Sequence, residues 1–307
     1  MSTFQAFKEN GQILFDTNLI CYGLVRSGNM ALQQYWGRRF LRSANLDPSD
    51  GSNYYPIVPV PAGSTPANGS RSDQLWGFSI TNQISPICFI TGPGTLIGTA
   101  ISGGVFTFLY ANSSPQTKFY CFDLMGDSLP GTTFLKTYDE SGRITFNSLQ
   151  SPLNVVGAFA PPPPPAANDP RGRKLLAYDG GRVQKRQYVS AVGASNGALA
   201  TQMDSIFDIQ LSAGVEYAAF LPWARTANTI ESNPFAGSTG PMTQYGSSEG
   251  AYGRVGGISF MFGAAAGTNE AYPSGTGSVP VSYANIPTDR LPVALVIQTE
   301  NLPFPFN

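Results

Sequence analysis

Glycine, proline, serine, threonine or asparagine interrupts almost every window of a dozen residues in this chain, so an apolar period of 3.6 residues has nowhere to develop. What remains is a series of short β-branched and aromatic runs between turn formers. Gly104–Tyr110, Lys118–Phe122 and Gly257–Phe262 read as strands, and Val293–Ile297 reads as a buried one. The expected class is all-β: an antiparallel β-sandwich, jelly-roll-like, with repeated hairpins and long Gly/Ser/Pro loops. Met30–Leu41 fits two descriptions. A helix would put Met30, Gln34 and Arg38 on one face and Ala31, Leu32, Tyr35, Trp36 and Phe40 on another; Gly37 weakens it, and an irregular strand competes equally.

The chain also repeats itself. Phe7–Thr17 (FKENGQILFDT) aligns without a gap on Tyr138–Ser148 (YDESGRITFNS), with Glu, Gly, Ile and Phe identical. Asn10-Gly11 signals a type I′ hairpin turn, and Ser141-Gly142 occupies the same place. Phe7, Ile13 and Phe15 are matched by Tyr138, Ile144 and Phe146, which predicts two equivalent hairpins. Tyr178–Val183 is a shorter echo.

At these residues the chain resembles small tail-tip, baseplate or tail-fibre-associated proteins of tailed bacteriophages. Many of them open with an aromatic-rich strand, a Gly turn and an apolar-x-Phe-Asp-Thr/Ser strand, as in Phe4–Thr17, followed by a segment like Leu19–Leu24. The resemblance covers about 25 residues at the start and a similar stretch from Phe134 to Phe159. It implies a virion protein of the tail, made in the host cytoplasm without a signal peptide. Its implied partners are itself, as a trimer or ring, and other tail proteins.

Composition limits the alternatives. Charged residues are 12% of the 307, about half the usual share, and Lys+Arg 18 against Asp+Glu 19 leaves a net charge of -1. Such a chain has no general attraction for nucleic acid or an anionic membrane, and no apolar run reaches the length of a membrane span. With no histidine, it can assemble no Ser-His-Asp triad, Cys-His pair or imidazole metal ligand. Cys21, Cys88 and Cys121 have apolar or aromatic neighbours and read as buried free thiols. No catalytic, cofactor or metal residue is expected.

Several patterns carry candidate chemistry. Gly193–Gly197 matches G-x-S-x-G around Ser195, but lacks a histidine; Lys174 or Lys185 would have to act as base, and a Gly/Ser turn is the simpler reading. Asp47–Asn53 offers oxygen ligands without EF-hand spacing, so it reads as an Asx turn. Asp123, Asp127, Asp139 and Glu140 are candidate carboxylates for glycan hydrolysis, the last two better suited to a hairpin turn. Arg171–Arg186 concentrates Arg171, Arg173, Lys174, Arg182, Lys185 and Arg186, a basic edge suited to an acidic partner subunit. Trp36 with Arg38, Arg39 and Arg42 suits cation-π packing at an interface. Tyr54, Tyr55, Trp76, Trp223, Phe235, Tyr245, Tyr252 and Tyr272 are loop-like aromatics able to stack on sugar rings or anchor in another subunit. Phe304 and Phe306, among prolines, read as an apolar peg for a neighbour.

Pro161–Pro165 marks a boundary, giving residues 1–160 and 171–307 as two β regions joined by a linker at 161–170; an ordered connection over one body competes with that division. The leading functional expectation is a non-enzymatic structural protein of a phage tail tip or baseplate. A host-receptor-binding tail-fibre module contacting surface glycan or protein, a capsid or decoration protein, and a tail-associated glycan hydrolase stay open.

Overall fold

The chain is described from a computed structural model over residues 5–7, 9, 11, 13–16, 19–43, 45–54, 71–127, 129, 131–132, 134–166, 174–189, 199–232, 242–271 and 281–306. Among these the fold is all-β, with one 3-10 turn at Gly51–Asn53 and no α-helix. In chain order the strands are β1 (Gln5–Phe7), β2 (Ile13–Asp16), β3 (Tyr22–Asn29), β4 (Ala31–Phe40), β5 (Arg71–Thr81), β6 (Ile87–Thr91) and β7 (Thr95–Ser102). There follow β8 (Val105–Ala111), β9 (Lys118–Leu124), β10 (Lys136–Tyr138), β11 (Ile144–Asn147), β12 (Gly157–Phe159), β13 (Arg182–Val189) and β14 (Leu199–Gln210). The last are β15 (Tyr217–Phe220), β16 (Thr226–Ser232), β17 (Met242–Arg254), β18 (Gly257–Ala264), β19 (Asn269–Glu270), β20 (Ser282–Ala284) and β21 (Ala294–Gln298).

A twelve-stranded sheet runs β12-β21-β15-β6-β17-β18-β14-β13; β9 pairs with β6, β3 with β9, β16 with β17 and β20 with β16. A five-stranded sheet runs β19-β4-β5-β8-β7 and packs on it. The period-two geometry of a strand explains why the central segments are apolar throughout. Every residue of β18 is buried: Phe260 and Phe262 enter one cluster with Tyr178, Tyr283 and Val296, while Met261 points the other way toward the five-stranded sheet. β9 splits likewise, with Phe119 and Cys121 against Phe78, Phe108 and Tyr110, and Tyr120 and Phe122 against Leu24, Phe89 and Ile297. Each buried aromatic contributes about 1.5–3 kcal/mol by leaving water.

The two repeats form two hairpins with one register. β1 pairs Gln5 with Asp16, Ala6 with Phe15 and Phe7 with Ile13. β10 pairs Lys136 with Asn147, Thr137 with Phe146 and Tyr138 with Ile144, and both ladders shift at the same place. Gly11 and Gly142 turn with φ of 79° and 78°. The second turn is not type I′, however, because Ser141 is not among the residues with positive φ. Gly142 N donates to Asp139 O at 3.0 Å and Asp139 N to Arg143 O at 2.9 Å, which is a type I turn closed by a left-handed glycine at a bulge. Asn10 lies outside the described residues.

Met30–Leu41 is strand. Its register against β5 shifts between Leu32 and Gln34, and that bulge breaks the alternation that would have shown a strand in the sequence. Tyr178–Val183 is a turn leading into β13, with Gly180 at φ 70°, not a third hairpin.

Strands from both sides of the proline run share the large sheet, since β6 lies between β15 and β17. One apolar cluster likewise joins Met30, Phe78 and Phe119 to Ile206, Tyr252 and Met261. Pro161 and Pro164 are buried, Pro163 O accepts from Asp179 N at 2.8 Å, and Pro165 O accepts from Lys174 Nζ at 2.7 Å. These contacts hold 161–166 against the rest of the chain, and residues 167–170 of the expected linker lie outside the described residues.

Candidate interaction surfaces

The basic residues singled out in the sequence separate into different environments. Trp36 is half-buried against Leu75 and Leu109, and Arg38, on the same face of β4, is only 2% exposed. Arg39 and Arg42 are exposed; Arg42 donates to Ser52 O at 2.8 Å and Asn53 O at 3.2 Å. Lys174 holds Pro165 O, Lys185 is exposed on the edge strand β13, and the backbone of Arg186 pairs with Gln202. Arg171, Arg173 and the Ser195 turn lie outside the described residues.

Arg38 is therefore an internal fastener, not a surface anchor. Its Nε donates to Asp73 at 2.8 and 2.9 Å, Nη1 to Glu270 Oε1 at 2.8 Å and Nη2 to Gln202 Oε1 at 3.3 Å. Its cation-π partner is the ring of Tyr245 at 5.4 Å. Asn112 extends the network across the sheets, accepting from Gln202 and donating to Thr95 Oγ1 at 2.9 Å and Ala264 O at 3.1 Å. A second buried centre was not visible in the sequence. Arg225, with no exposed side-chain surface, is held bidentately by Glu249 at 2.8 Å on both oxygens, and Tyr178 donates to Glu249 at 2.9 Å. The only sequence signal was an arginine between β15 and β16 and a glutamate inside β17, each several residues from another charge.

Of the remaining acidic and thiol candidates, Glu140 is exposed at the hairpin turn and the others are engaged in the fold. Asp123 accepts from the backbone N–H of Ile84, Ser85 and Leu124, each at 2.7 Å. Asp127 pairs with Lys136 at 2.5 Å, and Asp139 caps its own hairpin turn. Asp47 and Asp50 accept from Ser49 and Ser52, the Asx turns expected there. Among the described residues, no group of three or more Cys, Asp or Glu is placed to hold a metal ion. Cys88 and Cys121 face each other across β6 and β9, free and buried; Cys21 is half-buried. Burial pushes the Cys88 thiol up to about 12 and Cys121 well above its ordinary range.

Two exposed features remain. At the second hairpin Phe134 is 95% exposed, beside the exposed Leu135 and Tyr138. The backbone there is fixed, since Ser148 Oγ accepts from Phe134 N at 3.2 Å and Leu135 N at 3.1 Å. The hairpin is docked by Cys21 N, which donates to Thr145 O at 2.9 Å, and by Asn147 Nδ2, which donates to Gly126 O at 2.8 Å. Elsewhere, Trp223 is 44% exposed at the mouth of a cleft of about 280 Å³ between β7 and the β15–β16 connection. Of the other aromatics read as loop-like, Trp76 lies half-buried in β5 and Tyr245 and Tyr252 lie buried in β17, so these three are strand residues; Tyr54 is buried, while Tyr55, Phe235 and Tyr272 lie outside the described residues.

The peg at Phe304 and Phe306 folds onto its own chain. Ser27 and Phe306 exchange backbone hydrogen bonds at 2.9 and 3.0 Å, Ser27 Oγ donates to Pro303 O at 2.6 Å, and Phe304 lies 5.7 Å from the Tyr120 ring. Phe304 keeps an exposed face under Lys118, whose Nζ lies 5.3 Å from the ring centre.

Comparison of the chain with protein-family models, with curated proteins and with solved structures gave no match.

Proposed function

We propose that this chain is a non-enzymatic structural protein of a phage tail tip or baseplate, acting by assembly with itself and with other tail proteins. The observation that carries this reading is the pair of twin hairpins, each a separate two-stranded sheet outside the two large ones, the second presenting Phe134, Leu135 and Tyr138 to solvent. The second hairpin is docked on its own chain along β11, so the exposed Phe134, Leu135 and Tyr138 of its other side are apolar surface left for a neighbouring subunit. The first hairpin is also the stretch that resembles the tail proteins. Gold-labelled antibody against this chain, applied to intact phage particles, tests the reading. Label at the distal end of the tail is expected; label on the capsid, or none on purified particles, contradicts it.

A host-receptor role is the second reading, and the exposed Trp223 beside its cleft favours it.

A further inference from the structure

We infer that the cleft beside Trp223 binds a neutral sugar ring, stacked on the indole face. Four observations converge on that ligand. Trp223 belongs to the short connection between β15 and β16, whose ends are anchored: Leu221 packs on the large core and Arg225 is locked inside by Glu249. The exposed residues between them, Pro222, Trp223 and Ala224, are thus presented on a fixed base, with the proline restricting the backbone further. An indole held this way needs little ordering when a ligand arrives.

The volume agrees with a small ligand. About 280 Å³ lies just below the roughly 300–1,000 Å³ typical of small-molecule sites, which suits one sugar ring with its neighbours outside in solvent. The floor is apolar and buried, formed by Ile90, Ala219 and the Tyr110 ring. The rim is open and mixed, with Thr99 exposed opposite Pro222 and Ala224 and with space at Gly98, where an added Cβ would meet nothing within 4 Å. A pyranose suits such a cleft, with C–H groups on one face for the apolar floor and hydroxyls around its edge for the open rim.

Charge selects against acidic sugars and cations. Among the described residues, the one ionised group lining the cleft is Glu249, whose two oxygens are already taken by Arg225 and Tyr178. A charged ligand would lose hydration there and gain no counter-charge.

This inference stands apart from the assembly proposed above, because Trp223 and the twin hairpins lie on different elements. The test is a titration of the full chain with glucose, galactose, mannose and N-acetylglucosamine, as methyl glycosides and as short oligosaccharides, with glucuronic acid as the charged comparison. Tryptophan emission and calorimetry are the readouts. At least one neutral sugar is expected to bind saturably, with glucuronic acid at least tenfold weaker. W223A should weaken that binding by about tenfold or more, and W223F by less. Gly98 lines the cleft with open space at its Cβ, so G98Q adds a side chain at the rim and should weaken the sugar's binding with the circular dichroism spectrum unchanged. No saturable binding by any neutral sugar, or binding that persists unchanged in both W223A and G98Q, would overturn the inference.

Discussion

At the scale of single residues, the interior is fastened by charges that the composition makes scarce. Arg225 and Glu249 lie with no exposed side-chain surface, and the guanidinium also sits 5.6 Å from the Phe262 ring centre. Removing one partner strands the other charge, so Arg225→Ala is expected to cost about 3–5 kcal/mol in a denaturant titration. A loss below about 1 kcal/mol would mean that the pair is solvated in solution. The thiols give a second residue-scale expectation. With burial holding Cys88 and Cys121 as thiols, iodoacetamide at pH 8 should modify Cys21 first and reach the other two only after unfolding. Equal rates at all three positions, read by peptide mass spectrometry, would contradict the packing around β6 and β9. Neither fastener was legible beforehand. A lone arginine in an uncharged stretch looks the same whether it faces water or a buried carboxylate, and Arg38, beside Trp36, looked like surface.

At the scale of elements, legibility depended on whether a pattern was carried by local chemistry. The hairpins were readable as a pair because the same turn glycine, with φ of 79° and 78°, recurs between matching apolar positions. The turn type was misread since Asp139 supplies what a second left-handed residue would have supplied. Its carboxylate accepts from Ser141 N, Ser141 Oγ, Arg143 N and Arg143 Nε. Those bonds, the Ser141 hydroxyl foremost and then the Arg143 amide, hold the Asp139 carboxyl well below the ordinary value of 3.8. With a depressed folded-state value, the turn's stabilisation is complete above about pH 4 and is lost as pH falls through the lower value. An NMR titration of Asp139 should find its midpoint well below 3.8, accompanied by loosening of the β10–β11 amides; a midpoint near 3.8 would contradict this turn. The β4 strand was ambiguous for the opposite reason, because a bulge at Leu32–Gln34 mixes the periods.

At the scale of the whole molecule, the proline run fixes an extended path and leaves the division into regions open. Five prolines state that a segment is extended, and say nothing about whether it is laid on a surface. Pairing across the run makes the halves interdependent, as Gly253 shows: it pairs with Thr91 of β6, and its O accepts from Gly92 N at 2.9 Å. A fragment of residues 1–160 is therefore expected to lack cooperative unfolding, since β6 would lose both β15 and β17; a cooperative transition in that fragment would show that the first region folds alone. The outside of the molecule carries the functional claim. Burying Phe134 at an interface is worth about 1.5–3 kcal/mol, and charge placed there opposes association without touching the core. Light scattering on the full chain and on the double variant Phe134→Asp, Tyr138→Asp tests assembly most directly. The wild-type chain should form a defined oligomer that grows with concentration while the variant stays monomeric with an unchanged circular dichroism spectrum. A wild-type chain that remains a monomer at high concentration, or a variant that assembles as well as wild type, would contradict it.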